Sequence, residues 1–314
     1  MKIKDLKDFI DRECHVDLAI VISCTEGKSS KGSKYLSLVL QDSTGTIDAK
    51  KWDASPSDEA LLATKKVVAV EGYPLIYNGS QLQFKIVDVE PVSSYSEEDL
   101  ILEAPVDRKL LLEKFLGYID AIEDQDIKTI VTEIVNNKYQ KILLHPAAKT
   151  NHHEYAGGLL HHEVSMLDLA KAISTLYPTI NKDLLYGGII LHDLGKTVEL
   201  SGPIATEYTL EGKLLGHISI IQTDILQAAK KHNITGEVVT LLQHMVLAHH
   251  GKLEYGSPVL PVILEAEVLF QIDNIDSKIV MINKALKDVE VGGNSNRVMG
   301  LDGRSFYKHS KSVK

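Results

Sequence analysis

Apolar and polar positions alternate over 18–23, 35–41, 46–51, 67–76 and 81–90, and β-branched and aromatic side chains fill many of the apolar places. A period of two, with turn chemistry between the runs, predicts five strands. The turns are the Ser/Gly clusters at 29–33 and 43–45 and the pair Asn78-Gly79, whose tolerance of positive φ suits a tight hairpin. Between the third and fourth strands, 56–63 reads as a short helix entered through Ser55 as cap and Pro56 as first residue. From 91 to 106 the pattern dissolves into Ser, Glu and Asp with prolines near both ends, which marks a linker. Beyond it apolar residues recur every three and four positions, predicting helices over 108–122, 126–139, 154–176, 182–194, 214–232, 237–250 and 262–289. The expected organisation is a β domain at 1–90, a linker at 91–106, a helical domain at 107–290 and a tail at 291–314.

Five strands with a helix between the third and fourth is the order of an OB-fold barrel, and 1–90 resembles that family. The expected fold class is therefore an OB barrel followed by an all-α domain. Such barrels bind single strands with a basic edge and exposed aromatic faces on which bases stack. Lys28, Lys31 and Lys34 decorate the loop after the first strand, and Tyr35, Trp52, Tyr73, Tyr77 and Phe84 are the aromatics available. Strand aromatics usually belong to a core and loop lysines are usually just solvated. Binding is expected of the group, with Lys28, Lys31, Lys34, Tyr35, Trp52 and Tyr77 as its members.

The composition, 25% charged and 44% hydrophobic over 314 residues, is that of a soluble globular chain with room for two cores. No apolar run approaches the roughly 18 residues of a membrane span, and the N-terminus carries no secretory pattern, so a cytoplasmic protein without membrane contact is expected. Cys14 and Cys24 are too few for a disulfide framework and read as buried thiols. A formal charge of −9 excludes coating of nucleic acid by the whole surface but not by a local groove.

The histidines change the picture. Eleven of thirteen fall between His145 and His250, where an even spread would place about a third of them. Imidazoles and carboxylates scattered over helices are what a catalytic divalent-metal site requires. At 100° per residue His162 shares the apolar face of Leu159, Met166 and Ala170, whereas His161 projects with Ser165 and Asp168 and is expected at the surface. His192-Asp193 and His249-His250 each end a helix, where free carbonyls favour a cation. Asp273 and Asp276 lie along an otherwise apolar stripe, and a buried carboxylate needs a cation or a donor. Helical geometry alone does not choose between them.

His162, the pair in Leu191-His192-Asp193-Leu194-Gly195-Lys196, and Asp273 resemble the four-part signature of the HD metal-dependent phosphohydrolase superfamily. With His217, His249 and His250 the set is similar to that of HD phosphodiesterases holding two metals. The resemblance implies one cation on His162, His192, Asp193 and Asp273, with Asp193 bridging to a second on His217, His249 and His250. It also makes Asp193 and Lys196 the catalytic pair, Lys196 for the scissile phosphate or the leaving oxygen, and His153 a phosphate contact. The segments 157–160, 214–217, 249–258 and 305–308, taken with the barrel, look like YhaM-type 3′-to-5′ exoribonucleases of Gram-positive bacteria. His161 departs from the acid expected in relatives.

That resemblance implies a metal-dependent enzyme trimming single-stranded RNA, with single-stranded DNA as a further substrate, from the 3′ end to nucleoside 5′-monophosphates. Manganese is the expected cation, with cobalt or iron as alternatives suited to histidine-rich ligation. Homo-oligomerisation is compatible with it. The rival expectations are an HD phosphohydrolase of nucleotides or cyclic dinucleotides, and a non-catalytic single-strand binder.

Overall fold

A computed structural model describes residues 1–28, 32–77, 81–102, 106–148, 153–287 and 289–311. Lys31 and the Asn78-Gly79 hairpin lie outside the described residues. The chain forms two compact units, Met1–Glu103 with Pro203–Thr206, and Ala104–Gly202 with Glu207–Lys314.

The first unit contains β1 (Cys14–Lys28), β2 (Lys34–Asp42), β3 (Gly45–Trp52), α1 (Pro56–Leu61), β4 (Val67–Tyr77) and β5 (Gln81–Pro91). The strands close into a barrel in the order β1-β2-β3-β5-β4. β1 runs well past the predicted 18–23 because a bulge between Val21 and Ser23 bends it, so its first half pairs with β4 and its second half with β2. β3 and β5 pair in parallel and complete the closure. Val16, Leu36, Leu38, Leu40, Val70 and Phe84 fill the interior. Ser55 and Asp58 form a reciprocal capping box on α1, and Leu62 just beyond it is buried against the barrel core. An unpredicted 3₁₀ turn, Ile3–Phe9, adds Ile3 and Leu6 to the same core. Part of the expected linker is also structural. Leu100 is buried and its carbonyl accepts a 2.9 Å bond from Gln41 Nε2, so the chain stays docked on the barrel past residue 91.

The second unit contains α2 (Arg108–Asp120), α3 (Gln125–Ile142), α4 (Gly158–Leu176), α5 (Lys182–His192), α6 (Lys196–Glu199), α7 (Leu210–Leu214), α8 (Gly216–Lys231), α9 (Glu237–Ala248) and α10 (Leu264–Leu286). The helix predicted over 214–232 starts two residues later, because Gly216 adopts φ +72°, a left-handed conformation that only glycine takes readily. Every residue of α5 from Leu184 to His192 is buried, and α5 packs against α3, α4, α9 and α10. A helix apolar all round belongs at the centre of a bundle. Its C-terminal pair His192-Asp193 is thus delivered into the interior, held by Ile130, Leu159, Leu185, Ile189, Leu242, Met245 and Leu269, each worth about 1.5–3 kcal/mol when fully buried. The tail after 291 folds back through bridges Asn294↔Tyr307 and Val298↔Arg304, and Lys308 Nζ donates to the Leu286 carbonyl at the end of α10. No described helix is long and apolar enough to cross a membrane.

Candidate functional site

Five helices bring their polar residues together inside the second unit. α4 supplies His162, α5 ends in His192 with Asp193 as its cap, α8 opens with His217, α9 ends at His249-His250, and α10 carries Asp273 and Asp276. Gly195 makes the approach of α8 possible. A Cβ there would overlap the backbone carbonyl of His217, so the glycine of the His-Asp-Leu-Gly turn is a matter of space.

Asp193 stands at the centre, only 2% exposed. Its Oδ2 lies 3.4 Å from His192 Nε2 and 3.9 Å from His162 Nε2, while its Oδ1 lies 3.6 Å from His217 Nε2 and 3.9 Å from His249 Nε2. Asp273 Oδ1 is 3.4 Å from the same His162 Nε2. His250 packs its ring against His217 and His249 at 5.4 and 4.2 Å between centroids. The donors therefore fall into two groups that share one carboxylate. Their separations are too long for hydrogen bonds but close to the roughly 3.0–3.4 Å between donors that each sit about 2.1 Å from one ion.

The far side of each ring explains the near side. His192 Nδ1 bonds the Ile189 carbonyl and His249 Nδ1 the Val246 carbonyl, both at 2.6 Å. His162 Nδ1 bonds Asp276 Oδ2 at 2.7 Å and His217 Nδ1 bonds Glu199 Oε1 at 3.1 Å. An acceptor on Nδ1 fixes the proton there and turns the Nε2 lone pair inward. Among the described residues, Nε2 of His192, His217 and His249, Nδ1 of His250 and Oδ1 of Asp193 are buried without a hydrogen-bond partner. Buried polar atoms are seldom left so. Orphans of nitrogen and oxygen type, aimed at one another, fit a divalent cation in each group.

The local field agrees. Burial resists charge on His162, but the carboxylates of Asp273 and Asp276 prevail and push it up to about 10. His192 rises to about 9, against burial, through Asp193 and Glu163. The negative field that draws protons to these rings equally draws a cation. On the other side, burial first and then His192 and His250 hold His249 well below the ordinary imidazole range, so its lone pair stays available. Lys196 Nζ donates to Asp193 Oδ2 at 2.6 Å and is only 14% exposed. Burial opposes its charge, but Asp193 keeps its pKa raised.

Several expected placements differ. His153, taken as a phosphate contact, is buried, and its Nδ1 and Nε2 bond Tyr155 Oη at 2.8 Å and Asp276 Oδ2 at 3.0 Å, so it supports Asp276. His161 is half-buried rather than superficial because its Nδ1 bonds the Tyr155 hydroxyl at 2.5 Å and its ring lies 4.8 Å from that of His153. Glu163, buried with both oxygens lacking hydrogen-bond partners among the described residues, Glu199 and the supporting role of Asp276 escape a periodicity argument, since nothing in spacing says which nitrogen an acid will face.

On the barrel, Tyr35 of β2 and Trp52 of β3 are register partners, with ring centroids 4.8 Å apart. Lys50, which the sequence did not single out, holds its ammonium 5.0, 5.6 and 5.4 Å over the rings of Tyr35, Trp52 and Tyr77. Trp52 is 39% and Tyr77 48% exposed. Lys28 is exposed, but Lys34 is bound by Glu59 at 2.6 Å and Glu26 at 3.1 Å and is not a free cation. Phe84 belongs to the core and Tyr73 donates to Glu13.

The HD domain family is matched over residues 159–278, and the OB-fold nucleic acid binding domain family over 19–92. The chain is 47% identical over 297 residues, 93% of its length and 91% of the relative's, to the 3′-5′ exoribonuclease YhaM of Geobacillus sp. (strain WCH70). Among solved structures it is similar to the second OB-fold domain of replication protein A from Methanococcus maripaludis, at 19% identity and a TM-score of 0.25, covering 31% of this chain and 97% of that one. An SSB domain from Synechococcus sp. is 15% identical with a TM-score of 0.21, covering 24% and 91%.

Proposed function

The chain belongs to the YhaM family of 3′-5′ exoribonucleases, and on that premise we propose that it shortens single-stranded RNA from the 3′ end, releasing nucleoside 5′-monophosphates, with DNA strands as a second substrate. The observation that carries the reading is the one carboxylate, Asp193, between two sets of inward-turned imidazoles. His162, His192, Asp193 and Asp273 would hold one divalent cation, and Asp193, His217, His249 and His250 a second. Such a pair supplies charge for the attacking and leaving oxygens and lowers the pKa of water toward about 7. The donor set, rich in imidazole with two carboxylates, suits manganese over magnesium.

The chain's own side chains do the rest. A water oxygen forms the new bond to phosphorus while the bond to the 3′ oxygen of the preceding nucleotide breaks. Lys196, kept protonated beside Asp193, is placed to donate to the phosphate or to the departing oxygen. The low exposure of Asp193 and Lys196 strengthens the interaction between their charges. Tyr35, Trp52 and Tyr77 offer faces for bases, and Lys50 among them an ammonium for the backbone between those bases. An exposed aromatic face of this kind favours a polymer over a free nucleotide. The cytoplasm is the compartment we assign, in keeping with the unpaired thiols of Cys14 and Cys24.

A 5′-labelled oligoribonucleotide incubated with Mn²⁺ should give a ladder of shortened labelled products, and chelator should stop it. A mobility shift without cleavage, or turnover of free nucleotides alone, would sink the proposal.

A further inference from the structure

Each group of donors contains one histidine backed by a carboxylate and one backed by a peptide carbonyl. In the first, Asp276 stands behind His162 and the Ile189 carbonyl behind His192. In the second, Glu199 stands behind His217 and the Val246 carbonyl behind His249. Helix geometry accounts for the carbonyls: both belong to residues three positions back in the last turn of their own helix. The acids come from elsewhere. Asp276 reaches α4 from α10, and Glu199 reaches the start of α8 from the end of α6.

A carboxylate behind an imidazole does what a carbonyl cannot. It fixes the tautomer and also adds negative charge through the ring, making Nε2 a stronger donor. From this arrangement we infer that Asp276 and Glu199 are matched positioning residues, one for each cation, so that each sets the affinity of its own half of the site. The inference rests on the two-cation reading above and extends it to residues outside the donor set.

The supports differ in stiffness. Asp276 accepts from His162, His153 and the Ser165 hydroxyl, and His153 is in turn tied to Tyr155 and through it to His161. Among the described residues the Glu199 carboxylate accepts from His217 alone, through its backbone N and its Nδ1, both at 3.1 Å to the same oxygen. The first half is therefore braced by a chain of bonded side chains and the second, among the described residues, by the Glu199–His217 pair. The His153, His162 and Asp276 atoms also lie at ligand-like spacing. Their 2.7 and 3.0 Å separations are those of hydrogen bonds, so this trio serves as the brace and not as a third cation site.

The test titrates Mn²⁺ alone into the metal-stripped full chain by calorimetry, with Asp276→Asn and Glu199→Gln beside the parent and circular dichroism to establish folding. Two binding events are expected for the parent. Each variant should weaken one of them by about 10–100-fold and leave the other unchanged, and the double variant should weaken both. Restored turnover of each single variant at raised Mn²⁺, with KM for RNA unaltered, is expected as well, since neither acid touches substrate. Two tight events in both variants, or equal weakening of both events in each, would overturn the inference while leaving the two-cation reading intact. Fewer than two Mn²⁺ per parent chain would overturn both.

Discussion

Asp273 and Asp276, one turn apart on α10, address opposite nitrogens of the same imidazole: Asp276 Oδ2 bonds His162 Nδ1 at 2.7 Å, and Asp273 Oδ1 lies 3.4 Å from Nε2. One acid braces the ring from behind and the other faces the space that the ring faces. Burial alone would penalise both carboxyls, yet His162 holds Asp273 far down the acid range, and His153, then His162 and Ser165, hold Asp276 there. The pair should accordingly behave differently on neutralisation. Asp273→Asn removes a donor and its loss should resist added Mn²⁺, whereas Asp276→Asn should be rescued by it; activity measured against Mn²⁺ concentration separates the two.

Replacing Asp193 removes the one group common to both sets of donors. Outer-shell partners alone are worth about 10–100-fold, so Asp193→Asn should lower the rate by more than about 100-fold. Strand binding, measured by fluorescence anisotropy, should persist, because the barrel aromatics lie in the other compact unit. Lost binding in a folded variant would contradict this division of labour.

A methyl group at Gly195 would collide with the His217 backbone. Overpacking of this kind costs about 1–3 kcal/mol, and here the side that yields carries His217, one of the proposed metal donors. Gly195→Ala should lower the melting temperature modestly and the activity severely. A variant with parental activity would show that α8 can shift without moving His217 from its place.

On the barrel, Gly27 lies opposite Tyr35, and a Cβ at 27 would overlap the tyrosine ring. The ring can swing away cheaply, but then its stacking face is lost. Gly27→Val should therefore weaken RNA binding with little change in stability. Trp52→Ala should cost about 1–3 kcal/mol, or about 5- to 150-fold in Kd, while hydrolysis of very short substrates stays near parental. Unchanged Kd in both variants would remove this face from the mechanism.

One part of the acid sensitivity should be traceable to a clamp on α3. Glu133 of α3 bonds Lys231 at 2.6 Å, His232 at 3.0 Å and Asn137 at 3.0 Å, and these bonds, Lys231 first, lower its pKa from 4.5 to about 2. In the unfolded chain the carboxyl takes up its proton near 4.5, so between that pH and about 2 the unfolded state binds more protons. The clamp's contribution is complete above 4.5 and disappears as pH falls toward 2. Urea midpoints of Glu133→Gln should fall below the parent's at pH 7 and converge with them as acid is added. Parallel curves across that window would exclude the clamp.

Much of this architecture is legible in the chain because burial imposes a period. Strand alternation marks the barrel, and spacing by three and four marks the helices and shows His162 facing inward. Asp193, His192 and His249 are visible as polar residues ending apolar helices. Other features depend on partners distant in sequence. Glu199 acts through His217, Lys50 through the Tyr35 and Tyr77 rings on two other strands, and His153 through α10. The break at Gly216 was hidden because apolar spacing continues across it, and only the backbone angle reveals that α8 starts there. The length of β1 was hidden because a bulge shifts its alternation midway.

The convergence of imidazoles and acids from five helices on paired cations is most directly tested by anomalous diffraction from crystals soaked in Mn²⁺. Two peaks are predicted, one on the Oδ2 side of Asp193 near His162, His192 and Asp273, the other on the Oδ1 side near His217, His249 and His250. Peaks only at the protein surface, or none within reach of Asp193, would contradict the account.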